Sequence, residues 1–301
     1  MNIEIFIENL YKSWFAFYFM YASTNTNIEP YWDLIKRIIT ESDIVLEVLD
    51  ARMIELSRNE EVERIVKEIK RPIIFVVNKS DLVLEKDLEN QVIDLRNNGE
   101  VVFVSCKNKK SIKILLHIIK KVFSEYGKRE INELEIKNKK KHREAEADII
   151  IGVLGYPNVG KSSLINAMAH KIKVKVSKKP GTTHGIHWIR INNEMKLIDS
   201  PGVIPLKKED ELRYGLIGAR DVERMKNPEV VANAIIKLFI EKNKRAFERY
   251  FDIFINSNED FYDIINKIGN RKRYLIKGGN IDENRVIDNI IRDWQNGRLK
   301  L

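Results

Sequence analysis

Two short segments of this chain stand in an order that sharply narrows the folds open to it. Gly155-Tyr156-Pro157-Asn158-Val159-Gly160-Lys161-Ser162 has the Gly-x4-Gly-Lys-Ser pattern of a loop that cradles phosphate. Asn78-Lys79-Ser80-Asp81, a tetrapeptide suited to reading a purine edge, comes before it. The usual arrangement opens on the phosphate loop and closes on the base-reading motif. Here the order is reversed, yet every piece is present.

The surroundings of both motifs predict an α/β fold. Short apolar, β-branched runs separated by helical patterns indicate a mostly parallel sheet with helices on both faces. Strands are expected at 43–50, 72–78, 101–105 and 149–155. Two more, 185–191 and 195–199, are joined only by Asn192-Asn193-Glu194 and read as an antiparallel edge hairpin. Helical patterns occupy 60–70, 85–97, 111–126 and 161–170. Beyond Pro205 the strand signal gives way to helical periodicity at 222–243, 260–268 and 282–295, a smaller helical domain. The expected division is an extension over 1–30, the nucleotide-binding domain over 31–205 and the helical domain over 206–301.

At 301 residues the chain can hold about two domains, each with its own core. A formal charge of +9 favours a polyanionic partner. Cys106 is the only cysteine, which excludes an internal disulfide and points to a reducing, cytoplasmic setting. The aromatic run Trp14-Phe15-Ala16-Phe17-Tyr18-Phe19-Met20-Tyr21-Ala22 is far shorter than the roughly 20 apolar residues of a spanning helix. Glu4 and Glu8 stand where a signal peptide carries positive charge, and an interfacial anchor would need a basic face that is missing. A membrane partner is therefore not expected. Lys137-Asn138-Lys139-Lys140-Lys141-His142-Arg143 joins the two motif-bearing halves, either as a solvated joint or as a phosphate contact.

Each motif carries its own chemistry. Gly155 and Gly160 let the backbone wrap a phosphate, and the helix starting near Lys161 adds its positive end. The candidate nucleotide contacts here are Asn158, Val159, Gly160, Lys161, Ser162 and Ser163. Lys161 would reach the β- and γ-phosphates of GTP, and Ser162 would ligate Mg²⁺. Asp199-Ser200-Pro201-Gly202 ends a later strand, where Asp199 would hold Mg²⁺ and the Gly202 N–H would meet the γ-phosphate. In Pro180-Gly181-Thr182-Thr183, Thr183 is the expected ligand of Mg²⁺ and the γ-phosphate, with Thr182 as the alternative. Asp81 can accept from N1 and N2 of guanine, an edge adenine lacks. Asn78 would tether the motif, and Lys79 would lay its stem against the ring. Ser105-Cys106-Lys107, after the next strand, would back the base from a third strand end.

Together these residues resemble the circularly permuted GTPases, in the ribosome-assembly branch related to bacterial YlqF. The resemblance covers roughly residues 31 to 301. Asp50-Ala51-Arg52 looks like that family's Asp-Ala-Arg motif, and Pro180-Gly181-Thr182-Thr183 like its Pro-Gly-x-Thr. Gly215-Leu216-Ile217-Gly218-Ala219-Arg220, Pro228-Glu229-Val230-Val231-Ala232 and Lys277-Gly278-Gly279 are similar to segments of its helical domain. Met53 and Ile54 stand where a proline commonly follows the Asp-Ala-Arg motif. No histidine precedes His117, so no role of an N-terminal histidine carries over. Asp50 and Arg52 are open to two readings, a structural pair or part of a switch.

The resemblance implies a GTP/GDP-dependent switch using Mg²⁺, with Lys161 and Thr183 as its catalytic residues. Asn158 is the position associated with K⁺-dependent GTPases, so K⁺ is expected there. Val203 and Ile204 follow Gly202 and cannot orient water through their side chains, so intrinsic hydrolysis should be slow. The implied partners are the large ribosomal subunit or its precursor and rRNA, bound by a monomer in the GTP form and released on hydrolysis.

Overall fold

The computed structural model describes residues 29–84, 88–128, 149–169, 187–199 and 210–301. These fall into two compact units, one over Trp32–Met225 and one built on Lys226–Leu301.

The first unit is a six-stranded sheet. Its strands are β1 (Ile44–Asp50), β2 (Ile73–Asn78), β3 (Glu100–Phe103), β4 (Ile149–Leu154), β5 (His187–Arg190) and β6 (Met195–Asp199). They lie in the order β3-β2-β1-β4-β6-β5. All neighbours run parallel except β5 and β6, which form the antiparallel edge hairpin expected from sequence. Read from β4 onward and then from β1 to β3, the strands give the phosphate loop first and the base motif after it. The sheet is therefore that of a phosphate-first domain whose chain is cut elsewhere.

Burial explains the β1 and β2 sequences. Every residue of both is buried, so they read as near-continuous apolar runs instead of alternating ones. Each Ile, Leu or Val taken from water here contributes about 1.5–3 kcal/mol. Besides Asp50 at its end, β1 carries one buried carboxylate, Glu47. Its Oε1 accepts from the Asn59 backbone N–H at 2.8 Å. Burial, reinforced by Glu63, raises its pKa well above the ordinary carboxylate value.

The helices of this unit are α1 (Glu29–Glu41), α2 (Glu60–Glu68), α3 (Lys109–Tyr126), α4 (Lys161–Met168) and α5 (Glu211–Leu216). Asn59 caps α2 by accepting from Val62 N–H, and Asn108 caps α3 by accepting from Lys110 N–H. The stretch expected to be helical over 85–97 is less regular where it is described. A 3-10 turn, Asn90–Val92, runs into a single helical turn, Ile93–Arg96. Gly99 ends it: a Cβ there would sit 2.5 Å from the Ile73 carbonyl oxygen, so only glycine lets the chain turn tightly into β3.

The second unit packs α6 (Pro228–Phe251), α7 (Phe261–Lys272) and α8 (Glu283–Gln295) around Phe239, Phe247, Phe251 and Trp294. The helical pattern at 222–243 resolves into two parts. Val222–Arg224 is a 3-10 turn, and α6 begins at Pro228, whose fixed φ suits a first helical turn. Asn243 has φ −155° and ψ 62°, and its Oδ1 accepts from Ala246 N–H at 3.2 Å. It breaks the helix and caps its continuation, which is why periodicity ends there while the helix runs on to Phe251. Asp260 and Asp263 form a reciprocal capping box on α7.

Among the described residues, no helix is long and apolar enough to cross a membrane. Residues 1–28 of the extension expected over 1–30, the basic joint at 137–143, Thr182, Thr183 and Gly202 lie outside the described residues, while Glu29 and Pro30 begin α1.

Candidate nucleotide site

The sheet brings the motifs to one edge. Asp50 stands beside Asn78 at the carboxyl ends of β1 and β2, and Val153 is in register with Asp199. After β1 the chain turns towards β2, whereas after β4 it turns towards β6 and β5. The crevice between β1 and β4 is thus a topological switch point, where open parallel sheets bind ligands.

The phosphate loop follows β4 and leads into α4. Asn158 (φ 60°) and Gly160 (φ 104°) are both left-handed. Lys161 Nζ donates to the carbonyls of Gly155 at 2.6 Å and Tyr156 at 2.8 Å, with the side chain buried. Burial lowers its pKa to about 8, and the charge of Asp199 acts in the opposite direction. Asp199 itself is buried at the end of β6. A buried carboxylate near enough to act on the charge of Lys161, with Ser162 in the first turn of α4, is an oxygen donor set that fits Mg²⁺. Among the described residues no group of three or more His, Cys, Asp or Glu could hold a metal ion.

The base-reading residues are joined by side chains. Asp81 accepts from Ser105 Oγ at 2.9 Å and from Lys107 Nζ at 2.9 Å. Burial works against its ionisation, but Lys107 and Ser105 outweigh burial and lower its pKa. Lys107 is largely exposed, so opening that ion pair costs only about 0–1 kcal/mol. Lys79 is left-handed at φ 62°, and its Nζ donates to Asp50 Oδ2 at 2.7 Å. The thiol of Cys106 donates to Asn78 Oδ1 at 3.3 Å, and burial pushes it up to about 11.

One hydrogen bond links the two motifs. Asn78 Nδ2 donates to the carbonyl of Val159 at 2.9 Å. A Cβ on Gly160 would collide with that same Nδ2, so the glycine is needed both for its backbone angle and for this close approach.

Sequence reasoning missed several contacts. The Asn158 amide donates to the Gly218 carbonyl at 2.6 Å. Tyr156 accepts from Asn59 Nδ2 at 3.2 Å and packs against Tyr214, with the Arg213 guanidinium 5.2 Å from its ring centroid. Arg213 also donates to the carbonyls of Leu56 and Arg58. These ties hold the segment around α5 to the phosphate loop and to the loop after β1. Nothing in the spacing of Tyr156, Asn59 and Arg213 signals them.

A phosphate loop and a base-reading motif on one parallel sheet edge, connected in reversed order, define the circularly permuted P-loop GTPase class. Residues 150–267 match the family described as "50S ribosome-binding GTPase". The chain is 35% identical over 270 residues to an uncharacterized GTP-binding protein of Methanocaldococcus jannaschii, covering 90% of this chain and 66% of that protein. It is 28% identical over 275 residues to ribosome biogenesis GTPase A of Priestia megaterium, covering 88% and 90%. The crystal structure of GNP-bound YlqF from T. maritima shares the fold, with a TM-score of 0.55 at 21% identity over 89% of this chain and 94% of that one. Within this class, the chain is similar to ribosome biogenesis GTPase A and shares the fold of the circularly permuted GTPase YlqF. It spans about two thirds or less of the length of the first curated relatives it matches.

Proposed function

We propose that this chain binds and hydrolyses GTP as a cytoplasmic, monomeric switch in assembly of the large ribosomal subunit. The observation that carries the reading is the Asn78–Val159 hydrogen bond, which joins motifs 81 residues apart into one candidate site. Asp81 would select guanine, backed by Ser105, Cys106 and Lys107, while Asn78 tethers the motif and Lys79 supports the ring. Asn158, Val159, Gly160, Lys161, Ser162 and Ser163 would hold the phosphates, with Gly202 approaching the γ-phosphate.

Ser162, Asp199 and Thr183 would hold Mg²⁺, which when bound supplies positive charge to the phosphates being separated. Lys161 would stabilise the charge developing on the transferred group. With Val203 and Ile204 after Gly202, no side chain there can orient the attacking water, so the intrinsic rate should be slow. K⁺ beside Asn158 would add the missing positive charge; a rate in KCl no higher than in NaCl would remove that part of the reading.

The helical domain, taken over 206–301, would grip rRNA. Lys237, Lys242, Arg245 and Arg249 on α6, with Arg271, Lys272 and Arg273 around the end of α7, are exposed and suit a phosphate backbone. The relative named ribosome biogenesis GTPase A supports the ribosomal setting.

Co-sedimentation with purified ribosomal subunits tests the proposal. Enrichment on the large subunit with a non-hydrolysable GTP analogue, and not with GDP, is the expected result. Absence of binding in every nucleotide state would sink the ribosomal role. Phosphate release above that of Lys161→Ala would show the enzyme; equal rates would leave a binding module.

A further inference from the structure

Asp50 is the most tightly engaged carboxylate at the sheet edge. Its side chain is fully buried, as is that of Arg52. Arg52 Nη2 donates to Oδ2 at 2.7 Å, and Arg52 Nε donates to Oδ1 at 3.0 Å. The Arg52 backbone N–H donates to Oδ1 at 3.1 Å. Burial pushes the carboxyl pKa up, but Arg52 and Lys79 outweigh it and hold the group ionised. A bidentate arginine already neutralises a buried carboxylate and fixes its plane. A structural pair is complete at that point.

The cluster nevertheless takes a third charge. Lys79 Nζ reaches Oδ2 at 2.7 Å, so two cations share one anion. Burial lowers the Lys79 pKa, with Asp50 opposing. Lys79 also adopts a left-handed backbone, which costs about 1 kcal/mol for a residue with a Cβ. Folding stability alone gives no reason to bring a second cation, on a strained backbone, into a pocket already neutral. A ligand site on the far side of that lysine stem does.

We propose that Asp50, its plane set by Arg52, is a positioning residue for the nucleotide: it anchors the Lys79 ammonium so that the methylene stem is laid out for the purine ring. The assignment rests on the base-reading role of Asn78, Lys79 and Asp81, and it extends that role to the turn after β1. It makes the Asp-Ala-Arg turn part of base binding, with no contact of its own to the nucleotide.

The test uses the full chain and two probes, GDP and inorganic tripolyphosphate, which has phosphates but no base. Asp50→Asn keeps the side-chain shape and removes the charge that holds Lys79. GDP affinity should fall about tenfold, the scale of one charge-assisted hydrogen bond, while tripolyphosphate affinity stays unchanged. In a Lys79→Met background, Asp50→Asn should have no further effect on GDP.

Equal losses for both probes, or an equal loss of GDP in both backgrounds, would overturn the assignment in favour of a purely structural pair. Should Asp50→Asn melt below the assay temperature, Asp50→Glu keeps the charge and displaces it by one methylene. Weaker GDP with intact tripolyphosphate binding then supports the proposal, and unchanged GDP overturns it. If Lys79→Met and Asp81→Asn leave GDP affinity untouched, the base-reading assignment itself fails. If they weaken GDP and Asp50→Asn does not, only the role of Asp50 falls.

Discussion

The base-reading side and the phosphate side of the site are built by different means. On the base side, side chains hold one another: Asp81 with Ser105 and Lys107, Asp50 with Lys79 and Arg52, Asn78 with Cys106. On the phosphate side, Lys161 is held by the backbone carbonyls of Gly155 and Tyr156, and the loop takes its form from the left-handed Asn158 and Gly160. A pocket knitted by side chains is specified residue by residue and can tolerate exchanges that keep the donors. A pocket made of backbone depends on a few angles and on the space a missing Cβ leaves. The two sides should therefore fail differently when mutated.

The largest effect is expected from Lys161→Ala, which removes the buried ammonium that would meet the phosphates. GDP and GTP affinity should fall about a hundredfold by calorimetry, towards the upper end for hydrogen bonds to charged groups. A loss below about threefold would break the comparison, since the backbone cradle would then suffice alone.

Gly160→Ala comes next, because it strikes the junction of both sides. The positive φ and the collision with Asn78 Nδ2 should destabilise the fold by about 2 kcal/mol in urea unfolding. A neutral result would mean that the Asn78–Val159 bond is dispensable.

Asp81→Asn should turn the guanine preference towards xanthine, shifting the GDP-to-XDP affinity ratio at least about tenfold through exchange of acceptor for donor. An unchanged ratio would undo the base side as described.

Cys106→Ala is the mildest, with an expected GDP loss under about threefold for one weak S–H donor, and Cys106→Ser should restore it. The same thiol sharpens the picture through pH. Because burial pushes it up to about 11, the thiolate is scarce at pH 7 and grows as pH rises. Maleimide labelling should accelerate about tenfold per pH unit between pH 7 and 10. A plateau near pH 8.5 would mean an ordinary, solvated thiol.

Much of the fold was legible because its signals are local. Apolar, β-branched runs at 43–50 and 72–78 read as buried strands, and the three residues between the expected strands at 185–191 and 195–199 pointed to a hairpin. The reversed order of two motifs indicated the permutation directly. What stayed illegible depends on backbone detail or on distant pairing. Periodicity stops at Asn243, but the continuation of the helix to Phe251 behind that capping asparagine carries no such signal. Asp50 and Arg52 were recognisable as a motif, but Lys79 as their third member comes from the turn after β2, and no spacing rule connects the two. The Asn158–Gly218 bond spans 60 residues and is equally silent in the sequence.

The strand order also sets a schedule for synthesis. A ribosome making this chain releases β1, β2 and β3 first, and those three are already neighbours in the finished sheet. They can pair while the next stretch is still being translated, since at about 5–20 residues per second that takes seconds and local pairing is far faster. The phosphate strand β4 then arrives at the open edge of β1, and β5 and β6 close the far side as a hairpin. Moving the chain ends thus hands the growing polypeptide a half-sheet that is contiguous from the outset, with the base-reading residues in place before the loop meant for phosphate exists.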